Sequence, residues 1–96
     1  MLSREKILKK LREYHDEMKH RFSLRRIGLF GSYVRDSADE KSDIDLLIEL
    51  NEPTFDHYMD LKFFLEDIFQ RPVDLVLAET LKPRLKPIIA KEVVYV

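Results

Sequence analysis

Residues 42–50 read Ser42-Asp43-Ile44-Asp45-Leu46-Leu47-Ile48-Glu49-Leu50, a mostly apolar run that opens on two aspartates. From Asp43 onward the run predicts a strand, broken by Asn51-Glu52-Pro53. Side chains alternate across a strand, so Asp43 and Asp45 share one face while Ile44 points to the other. Aspartate is depleted in strands, so this placement needs a reason.

Upstream, Leu24-Arg25-Arg26-Ile27-Gly28-Leu29-Phe30 reads as a second strand that stops at Gly31. A turn of helix is expected after Ser32, then a loop through Asp39 and Glu40. Residues 3–19 predict a helix, with Ser3 as cap and Ile7, Leu8, Leu11, Tyr14 and Met18 as its buried stripe. Downstream, residues 54–69 predict another helix, capped by Thr54 or Asp56, with Tyr58, Leu61, Phe64, Leu65 and Ile68 on its apolar face. Phe55, Phe63 and Phe69 add bulk that suits either core or a partner surface.

A third strand is expected at Val73-Asp74-Leu75-Val76-Leu77 and a short helix within 81–90, after Pro83. The apolar end, Val93-Val94-Tyr95-Val96, is expected to pack on the sheet or on another chain. This alternation predicts one α/β domain over residues 1–96, with helices against a small sheet. It leaves open which strands run parallel.

The 96 residues include no cysteine, which excludes a disulfide scaffold, a thiolate zinc site and a thiol nucleophile. Hydrophobic residues at 45% and charged residues at 36% fit a globular chain rather than a disordered one. No apolar run approaches the roughly 20 residues of a membrane helix, and the charged start lacks a signal-peptide core. A cytoplasmic protein without membrane attachment is the expectation. The net charge of −1 conceals a basic first segment, an acidic middle and a basic end. The acidic middle disfavours a long nucleic acid at that face. His15, His20 and His57 lack a ligand spacing and read as surface or packing residues.

Both glycines, Gly28 and Gly31, lie within one short stretch. Glycine at a strand end lets the backbone approach a phosphate, its N–H can donate to it, and the Ser32 hydroxyl adds a small donor. Arg35, three residues on, can reach the same phosphates or lock the loop. Neither a Walker A loop nor a dinucleotide-binding glycine pattern is present. Asp43 and Asp45 on one face repel unless a cation lies between them, and oxygen ligands select a hard ion such as Mg²⁺. Asp74 completes the cluster if its strand is a neighbour.

Gly31-Ser32, ten residues, then Asp43-Ile44-Asp45 resembles the signature of the minimal nucleotidyltransferases of the DNA polymerase β-like superfamily. The blocks Gly28–Arg35 and Ser42–Leu47 resemble their glycine-serine-x-alanine-arginine-glycine motif and its continuation. Val73-Asp74-Leu75-Val76 resembles their third-carboxylate strand. Two positions depart from the pattern: Val34 replaces the usual alanine and Asp36 the usual glycine.

The resemblance implies a mixed three- to four-stranded sheet packed with helices, the polymerase β-like core. It implies ATP along Gly31, Ser32 and Arg35, two Mg²⁺ ions held by Asp43, Asp45 and Asp74, and AMP transfer with loss of pyrophosphate. Stand-alone members are similar to antitoxins that add AMP to a tyrosine of a HEPN-domain ribonuclease toxin, and the chain has no room for an acceptor domain of its own. That activity is the expectation. The alternative is a non-catalytic antitoxin that neutralises its partner by contact.

Overall fold

In a computed structural model, which describes residues 2–96, the runs read as strands form β1 (Leu24–Phe30), β2 (Ile44–Leu50) and β3 (Val73–Leu77). A two-residue β4, Val94–Tyr95, joins them. The sheet order is β3-β2-β1-β4. β1 lies antiparallel to both β2 and β4, whereas β2 and β3 run parallel. The sheet is therefore mixed, as the resemblance implied. The strand at β2 begins at Ile44, so Asp43 stands just before it rather than within it.

Alternation along the strands sorts the two faces. Ile27 opposes Ile48 and Leu29 opposes Leu46, and all four are fully buried. Against them pack α1 (Arg4–Glu13), α2 (His15–Phe22) and α3 (Phe55–Phe69), through Ile7, Leu11, Met18, Leu61 and Leu65. Burying each such side chain stabilises the fold by about 1.5–3 kcal/mol. Leu8, Tyr14, Tyr58, Phe64 and Ile68 pack at the margin of this core. Phe69 is buried, but Phe55 and Phe63 are 76% and 58% exposed.

The single helix expected at 3–19 is two helices, bent at Tyr14 (φ −100°, ψ 6°). The i to i−4 hydrogen bonds continue across the bend, since the Tyr14 carbonyl accepts from Met18 N at 2.9 Å. The bend coincides with the edge-on contact of the Tyr14 ring to Phe64 of α3. Ser3 caps α1 as expected, its Oγ accepting from Lys6 N. Of the two caps open for α3, Thr54 serves, accepting from His57 N at 3.1 Å. The His57 ring meets the Glu52 carbonyl through Nδ1, a local structural contact.

The last helix, α4, spans Lys86–Glu92 and so begins later than the expected 81–90 segment. Pro87 sits in its first turn, where a missing N–H costs nothing, and Ala78–Thr80 forms a separate 3₁₀ turn. The apolar end then pairs with β1 of its own chain: Gly28 opposes Tyr95 and Leu29 opposes Val94. Gly28 serves close packing there. A Cβ at position 28 would lie 2.6 Å from Val93 Cγ2 and 2.8 Å from Tyr95 Cδ1.

β3 forms one side of the sheet, yet its outward backbone groups are not left bare. Glu66 of α3 accepts from Val73 N at 3.0 Å. The Tyr58 hydroxyl donates to the Leu75 carbonyl. Both contacts tie β3 to the helix that precedes it.

Gly28→Val should force β4 off the sheet and lower the unfolding free energy by about 1–3 kcal/mol, an overpacking cost. Urea unfolding measures the loss, and earlier proteolysis at the C-terminal segment should accompany it.

Candidate active site

Because β2 and β3 run parallel and in register, Asp45 stands beside Asp74. Register neighbours in a sheet share a face, so both carboxylates leave the sheet on the side away from α1, α2 and α3. Their side chains are close enough to hydrogen-bond, a bond that requires a proton on one of the two acids. Burial, then the charges of Asp74 and Asp43, then this bond, push the Asp45 carboxyl up to about 6; the nearby Arg35 charge opposes them.

β1 delivers the glycine turn to the same place. Phe30, the last residue of β1, opposes Asp45, and Gly31–Tyr33 follows as one 3₁₀ turn. Gly31 has φ +81°, and a Cβ there would fall 2.1 Å from Asp45 Oδ2. Glycine is thus required twice, by the left-handed backbone and by the carboxylate resting against it. Inside the turn, the Gly31 carbonyl accepts from Val34 and Arg35 N–H, and the Ser32 carbonyl accepts from Ser37 N–H. The N–H groups that open a helical turn have no partner within it and are free to meet an anion.

Asp36 adopts φ +57°. This explains the resemblance at that position, where glycine is usual: the loop needs a left-handed residue, and aspartate is among the few others that tolerate it. The departure leaves the loop conformation intact and adds a charge. Arg4 Nη1 also holds this loop, donating to the Val34 carbonyl at 3.3 Å.

Of the six residues expected to form the site, the fold brings Gly31, Asp45 and Asp74 into direct adjacency, with Ser32 next in the turn. Asp43, exposed just before β2, acts on Asp45 through its charge. Arg35 faces two ways: its charge is felt at Asp45, and its Nη1 donates to Glu92 Oε1 at 2.5 Å. Glu92 escaped the sequence reading. The available signal was its isolation, the one acid among residues 81–96.

Among the described residues, no three acidic or histidine side chains stand close enough to hold a metal ion as they are placed. The donor chemistry nonetheless fits a hard divalent cation. Every candidate ligand is a carboxylate oxygen, the adjacent carboxylates repel when both are ionised, and a cation there would offset that repulsion. A cleft of about 560 Å³ lies along β2 beyond these acids, lined by Leu47, Glu49, Ala78, Lys86, Ile89 and Tyr95 among others. Residues 43, 45 and 74 do not line it.

Residues 8–96 match the nucleotidyltransferase domain family. A protein adenylyltransferase, MntA of Thermococcus cleftensis, is 40% identical over 100% of this chain and 98% of its own. A solved structure of a candidate minimal nucleotidyltransferase superposes with a TM-score of 0.74 at 33% identity, covering 91% of this chain and 93% of the other. A toxin–antitoxin MntA–HpeT crystal structure follows at TM-score 0.66 and 25% identity, covering 100% of this chain and 72% of the other.

Two outcomes test the site without any substrate. A folded-state pKa of about 6 against 3.8 means that, between these pH values, the folded protein keeps a proton the unfolded chain has lost. Stability contributed by protonated Asp45 is complete below pH 3.8 and is lost as pH rises through 6. Asp45→Asn should therefore raise the unfolding free energy at pH 7.5, by up to about 3 kcal/mol, and leave it nearly unchanged at pH 3.5; denaturant titrations at both pH values check it. Asp36→Gly should stabilise the protein by up to about 1 kcal/mol, through relief of the left-handed strain at this position, in the same measurement.

Proposed function

The chain belongs to the nucleotidyltransferase domain family, and from that premise we propose that it is a protein adenylyltransferase antitoxin. It transfers AMP from ATP to a tyrosine of a HEPN-domain toxin and so silences it. The observation that carries the reading is the pair Asp45–Asp74 held against Gly31, two acids and a bare backbone turn on one open face. The 40% identical relative named a protein adenylyltransferase supports the reaction class. The likeness to a toxin–antitoxin MntA structure supports the kind of partner.

In the proposed reaction the Gly31-Ser32 turn receives the triphosphate, with backbone N–H groups and the serine hydroxyl as donors. Arg35 adds a cation to the phosphates. Asp74, the more exposed acid of the pair, accepts the proton of the incoming phenol as its oxygen attacks the α-phosphorus. A phosphorus–oxygen bond forms to tyrosine, the bond between the α- and β-phosphates breaks, and pyrophosphate leaves with the electron pair. Mg²⁺, held by Asp43, Asp45 and Asp74, would supply charge neutralisation for the phosphoryl oxygens. The chain itself contributes mainly alignment and electrostatics, which suffices for phosphoryl chemistry. Asp45 must be ionised to serve as a ligand, so a proton competes with the cation there below about pH 6.

In this reading the acceptor hydroxyl comes from the toxin. The exposed Phe55, Phe63 and Ile88 offer apolar contact area for a partner.

Incubation with labelled ATP, Mg²⁺ and the HEPN toxin should put label on a toxin tyrosine. Asp43→Ala/Asp45→Ala should cut that transfer by at least about 100-fold, the scale of losing transition-state charge stabilisation. Toxin neutralised equally well by the double variant, with no label transferred, would instead assign neutralisation to contact.

A further inference from the structure

We infer that Glu92 is a positioning residue, which holds the Arg35 guanidinium in place for the phosphates of the nucleotide. The inference rests on the proposed function in taking Arg35 as a phosphate-binding residue, and it concerns a residue for which the fold otherwise offers no purpose.

Glu92 is badly placed for an unpartnered acid. It ends α4, where the helix dipole disfavours negative charge. Its side chain is only 15% exposed. Basic neighbours stand close in sequence, Lys86 and Lys91 among them, yet its short ion pair crosses the fold to Arg35. Arg35 is the more exposed partner, with a side chain 60% exposed.

The contact is single. Nη1 donates to Oε1 at 2.5 Å, and a guanidinium carries five N–H donors in a fixed plane. The donors not used by Glu92 remain for phosphate oxygens. Without Glu92, a long exposed cation beside Asp45 would be drawn onto the carboxylates themselves, where it would oppose both the nucleotide and a divalent ion. Glu92 competes for it from the other side and keeps it between the two.

The anchor itself is fixed. Immediately after Glu92, Val93 and Tyr95 press on Gly28, β4 pairs with β1, and Val96 N donates to the Ile27 carbonyl at 3.0 Å. The pair also outlasts ligand arrival, because withdrawing Arg35 would strand a mostly buried carboxylate without its cation. That argues for a support and against a gate that opens when phosphate binds.

The test is a double-mutant cycle on equilibrium binding of a fluorescent ATP analogue with Mg²⁺, using the full chain. Glu92→Ala should weaken binding by about five- to tenfold, a coupling of the size seen between residues in contact. Glu92→Gln, which keeps an acceptor oxygen, should weaken it less. In an Arg35→Ala background, Glu92→Ala should change nothing further. Binding by Glu92→Ala equal to or tighter than that of the parent overturns the inference. So does an equal loss in both backgrounds, which marks a merely structural role. If Glu92→Ala does not fold, Glu92→Gln in the two backgrounds completes the same cycle with the same criteria. A parent protein that binds no nucleotide overturns the functional reading and this inference together, whereas binding by the parent with no Glu92 effect overturns this inference alone.

Discussion

Everything at the candidate site depends on two carboxylates being neighbours when electrostatics would separate them. Asp45 and Asp74 are adjacent because β2 and β3 run parallel and in register, and a one-residue slip would send one acid into the core face. The core prevents that slip. Ile44, Leu46 and Ile48 on β2, with Val73 and Leu75 on β3, are buried on the helix side, so their apolar burial fixes the acids by alternation on the other. Hydrophobic energy is thereby converted into charge proximity, and the raised Asp45 pKa records the cost.

The glycine turn completes this constraint rather than standing apart from it. Read as sequence, Gly31 offers an approach for phosphate. In the fold its missing side chain is first of all the space that the Asp45 carboxylate occupies. The acid and the turn therefore locate each other. A larger residue at position 31 would displace the carboxylate as well as strain the backbone, so the glycine-serine motif and the aspartate motif behave as one structural unit.

Much of this was legible in the chain because it is local. Short apolar runs bounded by turn residues marked β1, β2 and β3, the 3.6-residue stripe marked Ile7, Leu11 and Met18, and aspartates beside or inside those runs marked the chemistry. What escaped reading depends on contacts between distant residues. Nothing near Tyr14 is a helix breaker, and the bend there coincides with a ring contact to Phe64, fifty residues away. The parallel pairing of β2 with β3 is a property of the crossover, not of either strand. The requirement at Asp36 is a backbone angle, which glycine would have announced and aspartate conceals. Glu92 drew no reading at all, and only its partner Arg35 gives it meaning.

α3 faces two environments, and its inward residues do more than fill the core. Tyr58 and Glu66 hold the outer backbone of β3 at Leu75 and Val73, on either side of Asp74. The position of one acid is thus set from a helix that does not reach the site. Phe55 and Phe63 project from the same helix into solvent and share none of that duty. A single helix therefore carries two separable constraints: its inner surface bears on where Asp74 stands, and its outer surface can change without moving that acid.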